Sequence, residues 1–361
     1  MPNFQALQRQ LQHRPFATLH VVAGLDAFVD NIYQLVAARN DPRNFIRMEK
    51  MGELAERIVQ ASGKSANVEM VLQERKAGGN APLFAVCSSA LGAQVTAIGP
   101  VGATGVQPVF QEAGPDVRWV SIGEPGCTDA LEFLDGKLML GNIGEVGFIG
   151  WGSIEATIGA ESFLNLVRES DLLMLGNWTM LLGMDSVYAQ VALGIAGQHP
   201  GLVYIDLADP RKRTSEDLLK ALRLLAELSQ KARVVLGLNR SEAEQVGNAL
   251  GLCIATEENG PLLEAQARIL QKEACLHGIV IHGTKVAAGV SGDDSAWVNG
   301  PYCAQPRITT GAGDHFNGGC ANALAVGWSM EDSLLCGVYT SGYYVRNGIA
   351  PNNFQLADFL A

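Results

Sequence analysis

Short apolar segments alternate with longer helical stretches along most of this chain, and the alternation narrows the possible folds considerably. The apolar segments are almost continuous rather than alternately polar, which is typical of strands that are covered on both faces. Two of the helical stretches span residues 215–231 and 262–276. The pattern predicts an α/β fold with a doubly wound, mostly parallel sheet sandwiched by helices. The predicted strands are residues 18–24, 94–99, 118–121, 171–176, 202–206, 234–238 and 278–283.

Two regions interrupt this alternation, at about residues 31–76 and 123–150. The first region contains a helical pattern at about residues 44–61, followed by a strand-like segment. The second contains two strand-like segments on either side of Asp135-Gly136, and an Asp-Gly pair favours a tight hairpin turn. The two regions are therefore predicted to form a small second layer of sheet.

The composition is ordinary for a soluble enzyme. Of the 361 residues, 48% are hydrophobic and 17% are charged, and the formal net charge is −11. An acidic chain without a basic block is not expected to bind nucleic acid, because it has little positive charge to set against the phosphates. No uninterrupted apolar run is long enough to predict a membrane span.

Cysteine usage and the N-terminal segment predict a cytoplasmic protein. The seven cysteines are odd in number and contain no Cys-x-x-Cys pair, which indicates reduced thiols rather than a disulfide or zinc framework. Residues 1–14 are polar and rich in glutamine, so they lack the apolar core of a signal peptide.

A glycine-rich turn is the most informative motif for function. Thr309 precedes the sequence Gly-Ala-Gly-Asp, which ends at Asp314, and residues 316–326 are predicted to form a helix. Glycines at such a turn let backbone N–H groups converge on an anion, and a helix N-terminus favours negative charge there. A carboxylate at an anion site can accept the proton of an attacking alcohol during phosphoryl transfer. The motif therefore predicts a kinase.

This motif resembles the C-terminal signature of the PfkB, or ribokinase-like, carbohydrate kinases, commonly written Asp-Thr-x-Gly-Ala-Gly-Asp. A second segment, Lys-Ala-Gly-Gly-Asn-Ala-Pro at residues 76–82, resembles the N-terminal signature of the same family. The two motifs occur in the family's order, and the similarity covers the chain from about residue 19 to its end. One position departs from the pattern, because Ile308 stands where the family has the leading aspartate. The resemblance implies a single ribokinase-like kinase domain over residues 1–361.

The resemblance also implies the reaction, which is transfer of the γ-phosphoryl group of ATP to a hydroxyl of a sugar or sugar-like molecule. Asp314 then corresponds to the general base. The backbone N–H groups of Gly311, Ala312 and Gly313 are expected to stabilise the charge on the phosphoryl oxygens. Ile308 leaves this chemistry in place, but it puts in doubt any monovalent-cation site nearby.

Residues that follow the first strand, or that open the second signature, are candidate substrate ligands. Ligands bind doubly wound sheets beyond the carboxyl ends of strands, where Asp26 and Asp30 are expected. In the resembling family the acid that matches Asp30 grips the acceptor hydroxyls, and Asp26 matches an earlier acid. Gly78, Gly79 and Asn80 match positions where substrate approaches the backbone and an amide binds hydroxyls. From the residues alone, the acids could be solvated and Asn80 could be only a helix N-cap.

The nucleotide side of the site is predicted at the ends of later strands. In the resembling family an Asn-x-x-Glu segment orders Mg²⁺ partly through water, and Asn239 and Glu242 match it; hard oxygen ligands suit this ion. The turn at His282 and Gly283 approximately matches a turn near the nucleotide phosphates, and Asn347 lies in a segment expected to form part of the adenine wall. The nucleotide ligands predicted at the glycine-rich turn are Thr309, Gly311 and Gly313.

Each of these assignments has a structural alternative. A capped, acidic helix start would explain Asn239 and Glu242, and an apolar helix face would explain the segment around Asn347. His282 is not predicted to bind a metal, because the six histidines show no ligand spacing.

In the resembling family a β lid grows from two places that match the two interruptions, and it closes over the sugar. Lid insertions are therefore expected at about residues 31–76 and 123–150. Lids of this family often pair between subunits, so a homodimer through the lid is a further expectation.

Two other functions remain open from the sequence. A nucleoside kinase of the same fold would be favoured by an aromatic pocket formed by Phe133, Phe148 and Trp151, whereas an acid-lined pocket would favour a free sugar. A catalytically silent sugar or nucleotide sensor is suggested by Ile308 and His282, which depart from the family pattern.

Overall fold

The computed structural model describes residues 4–195, 201–255 and 257–360. Within these residues the strands form a nine-stranded sheet and a five-stranded sheet. The strands are β1 (His20–Gly24), β2 (Phe28–Arg39), β3 (Phe45–Arg47), β4 (Met70–Gly78), β5 (Gln94–Gly99), β6 (Arg118–Ser121), β7 (Gly126–Glu132), β8 (Lys137–Asn142), β9 (Leu172–Leu175), β10 (Leu202–Asp206), β11 (Arg233–Asn239), β12 (Gly278–His282), β13 (Val286–Ser291) and β14 (Asp294–Asn299).

The helices are distributed along the whole chain, mostly between the strands of the larger sheet. Short 3₁₀ helices occur at Gly144–Phe148 and Pro210–Lys212. The α-helices are α1 (Phe4–Gln12), α2 (Met51–Gln60), α3 (Asn80–Ala90), α4 (Pro108–Ala113), α5 (Trp151–Thr157), α6 (Ala160–Glu169), α7 (Met184–Gly194), α8 (Ser215–Ser229), α9 (Arg240–Ala249), α10 (Gly260–Glu273), α11 (Ala312–Ala325), α12 (Met330–Asn347) and α13 (Asn353–Phe359).

The larger sheet has the strand order β14-β13-β12-β11-β10-β9-β1-β5-β6. The strands from β12 to β6 are parallel, and β13 and β14 add an antiparallel edge. Each of the seven predicted strands corresponds to one strand of the parallel part. The prediction of a doubly wound, mostly parallel sheet is therefore confirmed.

Helices cover both faces of this sheet because its central strands are apolar on both sides. All residues of β9 and β10 are buried. One core on one face contains side chains from α5 to α10, and another on the opposite face contains side chains from α1, α3 and α11 to α13. The predicted helix at residues 215–231 is α8, whose start is capped by Thr214 through a hydrogen bond from the Asp217 N–H.

The smaller sheet has the order β3-β2-β7-β8, with β4 also paired to β2. The predicted hairpin around Asp135 is confirmed, because β7 and β8 pair as antiparallel strands. Side chains alternate between the faces of β2. Asp30 and Ile32 lie on one face, and Leu35 lies on the other, where it packs with Leu54 of α2. Helix α2 therefore covers the Leu35 face of this sheet, and the opposite face carries Asp30 and Ile32.

The prediction of a helix over residues 44–61 was only partly right. Phe45–Arg47 forms strand β3 and pairs with β2, and α2 begins only at Met51. The pairing partner is distant in sequence, so local periodicity could not indicate this strand. The smaller sheet also begins earlier than residue 31, since β2 starts at Phe28.

Two further properties bear on the class of protein. No helix in the described ranges is both long enough and apolar enough to cross a membrane. All seven cysteines have free thiols, and Cys87, Cys320 and Cys336 are buried in the core.

Candidate active site

The polar residues of interest gather at the carboxyl edge of the larger sheet. Strand β1 lies between β9 and β5, so the strand order runs from β1 toward both edges of the sheet. A crevice forms beyond the carboxyl end of a strand in this position. Asp26 follows β1 and Asn177 follows β9. Asp206, Asn239 and His282 are the last residues of β10, β11 and β12. The strand order thus brings together residues that are far apart in sequence.

The glycine-rich turn leads directly into α11. Gly311 has φ 86° and ψ 0°, a left-handed conformation that favours glycine, and a Cβ there would lie 2.9 Å from Leu83 Cδ1. The Ala312 N–H donates to the Thr309 carbonyl at 3.1 Å. It is therefore engaged within the turn, contrary to the expectation that it would face an anion. Gly311 and Gly313 remain the predicted anion donors, since N–H groups in a first helical turn lack helical acceptors.

Asp314 lies in the first turn of α11 and is buried. Burial raises the pKa of its carboxyl well above the ordinary value, and the nearby charges of Asp206 and Asp26 act in the same direction. The Asn80 side-chain amide donates to Asp314 Oδ1 at 2.8 Å. A carboxyl with a raised pKa, held in one orientation, has the properties required of a general base.

Asp26 caps helix α3 instead of facing open space. Its carboxylate accepts hydrogen bonds from the Ala81 N–H at 2.8 Å, the Asn80 N–H at 2.9 Å and the Asn177 amide at 2.8 Å. The residue is only 1% exposed. Asp26 therefore fixes the start of α3 and hence Asn80, and its contact with substrate stays a prediction.

The Asn80 amide lies between two carboxylates. Besides its bond to Asp314, its Nδ2 approaches Asp206 Oδ2 at 3.5 Å. It therefore offsets repulsion between two buried acids, a role that the sequence did not indicate. The preceding Gly79 has φ 98°, and a Cβ there would lie 3.0 Å from Asp26 Oδ2. This glycine accommodates one of the protein's own carboxylates.

Asp30 lies on β2, opposite Lys76 of β4 and Thr128 of β7. A Cβ on Gly78 would lie 2.6 Å from Asp30 Oδ2, so this glycine makes room for the Asp30 carboxylate. Burial raises the pKa of Asp30, whereas the Thr128 hydrogen bond and the charges of Lys76 and Lys137 lower it. Asp30 lines the large cavity described below, as expected for a substrate ligand.

Asp206 is a central residue that the sequence reasoning did not assign to the site. It accepts hydrogen bonds from the Ala208 N–H and from the Asn317 amide, both at 2.7 Å. Tyr204 in turn donates to Asn317 Oδ1 at 2.9 Å. Burial raises the pKa of Asp206 to about 6. Its position as the last residue of a fully buried strand was the available signal.

Asn239 and Glu242 form a reciprocal cap at the start of α9. Asn239 Oδ1 accepts from the Glu242 N–H at 3.0 Å, and Glu242 Oε2 accepts from the Asn239 N–H at 2.8 Å. The structural alternative is thus present, but Glu242 is also buried. Burial and the Asp206 charge raise its pKa to about 8. A bound cation would relieve this charge crowding, so the donors fit Mg²⁺.

These donors do not form a closed metal cage. In the described part of the chain, no group of three or more His, Cys, Asp or Glu side chains could hold a metal ion. Mg²⁺ commonly takes one or two protein ligands and completes its shell with water and substrate phosphates. The arrangement therefore suits an ion that arrives with a nucleotide.

The end of β12 lies against the glycine-rich turn, as predicted for a nucleotide site. A Cβ on Gly313 would be 3.4 Å from His282 Cε1, and the His282 ring packs 4.7 Å from that of Phe316. Burial lowers the pKa of His282 to about 4, so this histidine is neutral at physiological pH.

The adjoining turn is occupied by an acid. Glu258 contacts Gly283 closely and accepts hydrogen bonds from the Thr284 N–H at 2.7 Å and its hydroxyl at 3.0 Å. A carboxylate in this place competes with a phosphate for the same donors. Glu258 therefore occupies donors of this turn, and nucleotide binding at Gly283 stays a prediction.

A cavity of about 1350 Å³ lies between the smaller sheet and the glycine-rich turn. Thr309 and Asn347 both line it. The Arg307 guanidinium also lines the cavity and donates to the Asn347 carbonyl at 3.4 Å. Because Ile308 offers no side-chain oxygen and Arg307 already supplies positive charge, this neighbourhood gives no support to a bound monovalent cation.

The aromatic pocket expected of a nucleoside site does not form. Phe148 is 84% exposed and Trp151 packs edge-on against Phe163 at 5.9 Å, and neither lines the cavity. Phe133 packs beneath α2 and is the one of the three that does line it. The cavity carries both apolar and charged side chains, and its charged groups can bond to the hydroxyls of a sugar. The charged residues that line it are Asp30, Glu74, Lys76, Glu112, Asp116, Glu132, Lys137 and Arg307.

Comparisons with known proteins identify the family of this chain. The family model for prokaryotic ketohexokinase matches residues 3–361. A ketohexokinase of Haloferax volcanii is 28% identical over 345 residues, which cover 94% of this chain and 90% of that protein.

Solved structures show the same fold at low sequence identity. A carbohydrate kinase from Agrobacterium tumefaciens superposes with a TM-score of 0.66 at 17% identity, covering 95% of this chain and 97% of that one. A ribokinase from Arabidopsis thaliana, complexed with ribose and ATP, superposes with a TM-score of 0.64 at 19% identity, covering 95% and 98%. The two sequence motifs, the fold and the family match agree, and this chain is a carbohydrate kinase of the ribokinase-like fold that belongs to the prokaryotic ketohexokinase family.

Proposed function

We propose that this chain transfers the γ-phosphoryl group of ATP to a hydroxyl of a ketohexose, with Asp314 as the general base. The observation that carries the proposal is the buried Asp314 carboxyl, which Asn80 holds at 2.8 Å beside the glycine-rich turn. The name of the Haloferax volcanii relative supports a ketohexose acceptor. The ribose and ATP named for the Arabidopsis thaliana structure support a sugar and a nucleotide as co-substrates.

Asp314 would accept the proton of the acceptor hydroxyl while the hydroxyl oxygen attacks the γ-phosphorus. The Gly311 and Gly313 N–H groups would donate to the phosphoryl oxygens, on which charge accumulates in the transition state. Mg²⁺ bound with the nucleotide supplies positive charge to the phosphates, and Asn239 and Glu242 would order its water shell.

The acceptor would lie in the cavity on the Asp30 face of the smaller sheet. The Asp30 carboxylate can accept hydrogen bonds from two sugar hydroxyls, and burial strengthens such bonds. Burial raises the pKa of Asp30, and the charges of Lys76 and Lys137 partly offset this effect.

Substitution of Asp314 by asparagine tests the role of the base. The amide preserves the shape but cannot accept the proton, so kcat should fall by about 10²–10⁴-fold with ATP affinity nearly unchanged. ADP release would be measured with D-fructose, D-ribose and a nucleoside as acceptors. Asp185→Asn is a matched control, because Asp185 is also a largely buried acid in a first helical turn, that of α7.

The outcomes separate the proposal from its alternatives. A kcat close to wild type in Asp314→Asn would reject Asp314 as the base. Faster turnover of the nucleoside than of any sugar would replace the ketohexose by a nucleoside. A folded protein that binds ATP but releases no ADP with any acceptor would support the silent sensor.

A further inference from the structure

The glycine-rich turn contains one peptide group whose orientation is not fixed by its own backbone. Residues 309–312 form a β-turn closed by the Ala312 N–H and the Thr309 carbonyl. The φ and ψ of Gly311, 86° and 0°, are those of the third residue of a type II turn. Type I and type II turns differ by a flip of the central peptide, here the one between Thr310 and Gly311. A further contact is needed to select one orientation.

One side chain outside the turn supplies such a contact, and a second side chain bonds to the carbonyl of the next peptide. Tyr344 of α12 donates its hydroxyl to the Thr310 carbonyl at 2.9 Å. His315 Nδ1 lies 2.7 Å from the Gly311 carbonyl. A carbonyl can only accept, so Nδ1 must carry the ring hydrogen. Burial lowers the pKa of His315 to about 4, so the ring is neutral at physiological pH and has one N–H to give.

The two side chains also hold each other. The His315 and Tyr344 rings stack with their centroids 3.5 Å apart and an interplanar angle of 14°. Both residues are buried, and both line the cavity next to the turn. Their polar atoms thus bond to two successive carbonyls of the turn, while their rings form one rigid unit.

We propose that Tyr344 is a positioning residue that holds the peptide between Thr310 and Gly311 so that the Gly311 N–H faces the phosphoryl group in transfer. His315 is a second positioning residue, which holds the Tyr344 ring by stacking and bonds to the carbonyl of the next peptide. A peptide group is planar, with its carbonyl and N–H directed to opposite sides. The hydroxyl that fixes the Thr310 carbonyl therefore also fixes the Gly311 N–H. The inference rests on the proposed function, because the anion that this N–H would meet is the phosphoryl group.

The role requires the hydrogen bonds and not only the packing of the rings. Tyr344→Phe keeps the stacked ring but removes the hydroxyl. His315→Asn keeps an N–H donor near the place of Nδ1, whereas His315→Ala removes both donor and ring. Tyr339→Phe is the matched control, because Tyr339 is another tyrosine of α12, and it packs against Phe4 and Phe359 at 5.8 Å.

Steady-state kinetics with ATP and D-fructose provide the first readout. Loss of one preorganised donor to a developing anion costs about 10²–10³-fold in kcat, and an indirect loss should cost less, on the order of 10–10²-fold. Tyr344→Phe and His315→Ala should show this loss in kcat with little change in the KM for either substrate. His315→Asn should recover part of it, and Tyr339→Phe should behave as wild type.

Binding of MgADP with aluminium fluoride, which imitates a phosphoryl group in transfer, provides a second readout that does not need turnover. Tyr344→Phe should weaken this complex by the same factor as kcat and leave the affinity for MgADP alone unchanged. Wild-type kcat and analogue affinity in Tyr344→Phe would overturn the inference. Wild-type protein that neither releases ADP nor binds the analogue would reject the proposed function itself. Active wild type with an unaffected Tyr344→Phe variant would reject only the inference.

Discussion

At the scale of single residues, two adjacent glycines determine where two carboxylates can lie. A Cβ on Gly78 would collide with the Asp30 carboxylate, and a Cβ on Gly79 would crowd that of Asp26. The sequence motif predicted a different role for both glycines, namely that they let the substrate approach the backbone. In this structure both glycines make room for the protein's own acids, so the motif also maintains the geometry of the site.

Removal of the Asp30 carboxylate should weaken the acceptor much more than the nucleotide. Sugar hydroxyls left without a buried partner cost about 1–3 kcal/mol, or about 5- to 150-fold in the KM for D-fructose. We expect Asp30→Ala to show this change with the KM for ATP nearly constant. Asp129→Ala is the control, since Asp129 belongs to the same sheet and bonds to Asn31 on its other face. Equal losses for both substrates would make Asp30 a structural acid.

The sequence predicted the types of residue at the site better than their contacts. Asp314 was predicted as a base from its place after a glycine-rich turn, and the structure puts it at a buried helix start. That Asn80 bridges Asp314 and Asp206 could not be predicted, because the three residues are distant in sequence and meet only through the strand order.

At the scale of whole elements, local signals were sufficient for the parallel strands and for the hairpin. A strand buried on both faces is recognisable by its continuous apolar residues, and a tight turn by its Asp-Gly pair. Phe45–Arg47 was misassigned because pairing with β2, not local preference, makes it a strand. Tertiary contacts decide the conformation of such short segments.

The smaller sheet is predicted to close over the acceptor as a lid. Its Asp30 face borders the cavity, and closure would exclude water from the phosphoryl transfer. D-fructose should therefore increase the hydrogen-exchange protection of β2, β4, β7 and β8 together. The parallel strands of the larger sheet serve as the internal control, and they should change little. The same protection pattern with and without D-fructose at saturating concentration would show that this sheet is not a lid.

The smaller sheet also keeps the prediction of a homodimer open. Met70, Leu72 and Leu140 lie on it with 45%, 50% and 49% of their surface exposed. Apolar side chains exposed on one sheet are a feature of association surfaces. The oligomeric state, measured by light scattering, decides the question.

At the scale of the whole molecule, the chain has a net charge of −11, and several of its acids are buried together around the site. Burial raises the pKa of each of these carboxyls, so ionising them in the folded protein is unfavourable. Folding without ligands therefore carries an electrostatic cost that depends on pH. The acids concerned are Asp26, Asp30, Asp206, Glu242 and Asp314.

Glu242 makes the sign of this dependence explicit. Its pKa is about 8 in the folded protein against an ordinary value of 4.5, so above pH 4.5 the folded state retains a proton that the unfolded state has lost. Stability is therefore lost as the pH rises through about 8. The buried rings of His282 and His315, whose pKa values are lowered to about 4, act in the opposite direction. They do so only below their ordinary pKa of 6.5, so above that pH they do not oppose Glu242. Asp314, whose pKa is also raised by burial, acts in the same direction as Glu242.

We expect the free energy of unfolding of the ligand-free protein to fall by on the order of 2 kcal/mol between about pH 6.5 and about pH 8.5. Glu242→Gln removes one titrating group and should make this dependence less steep than in wild type. Glu244→Gln makes the same change of charge on the same helix, α9, and should leave the slope as in wild type. Urea denaturation at several pH values within this window measures all three proteins. An equal slope in Glu242→Gln and wild type would contradict the raised pKa of Glu242, because replacement of a group that titrates in this window must change the slope.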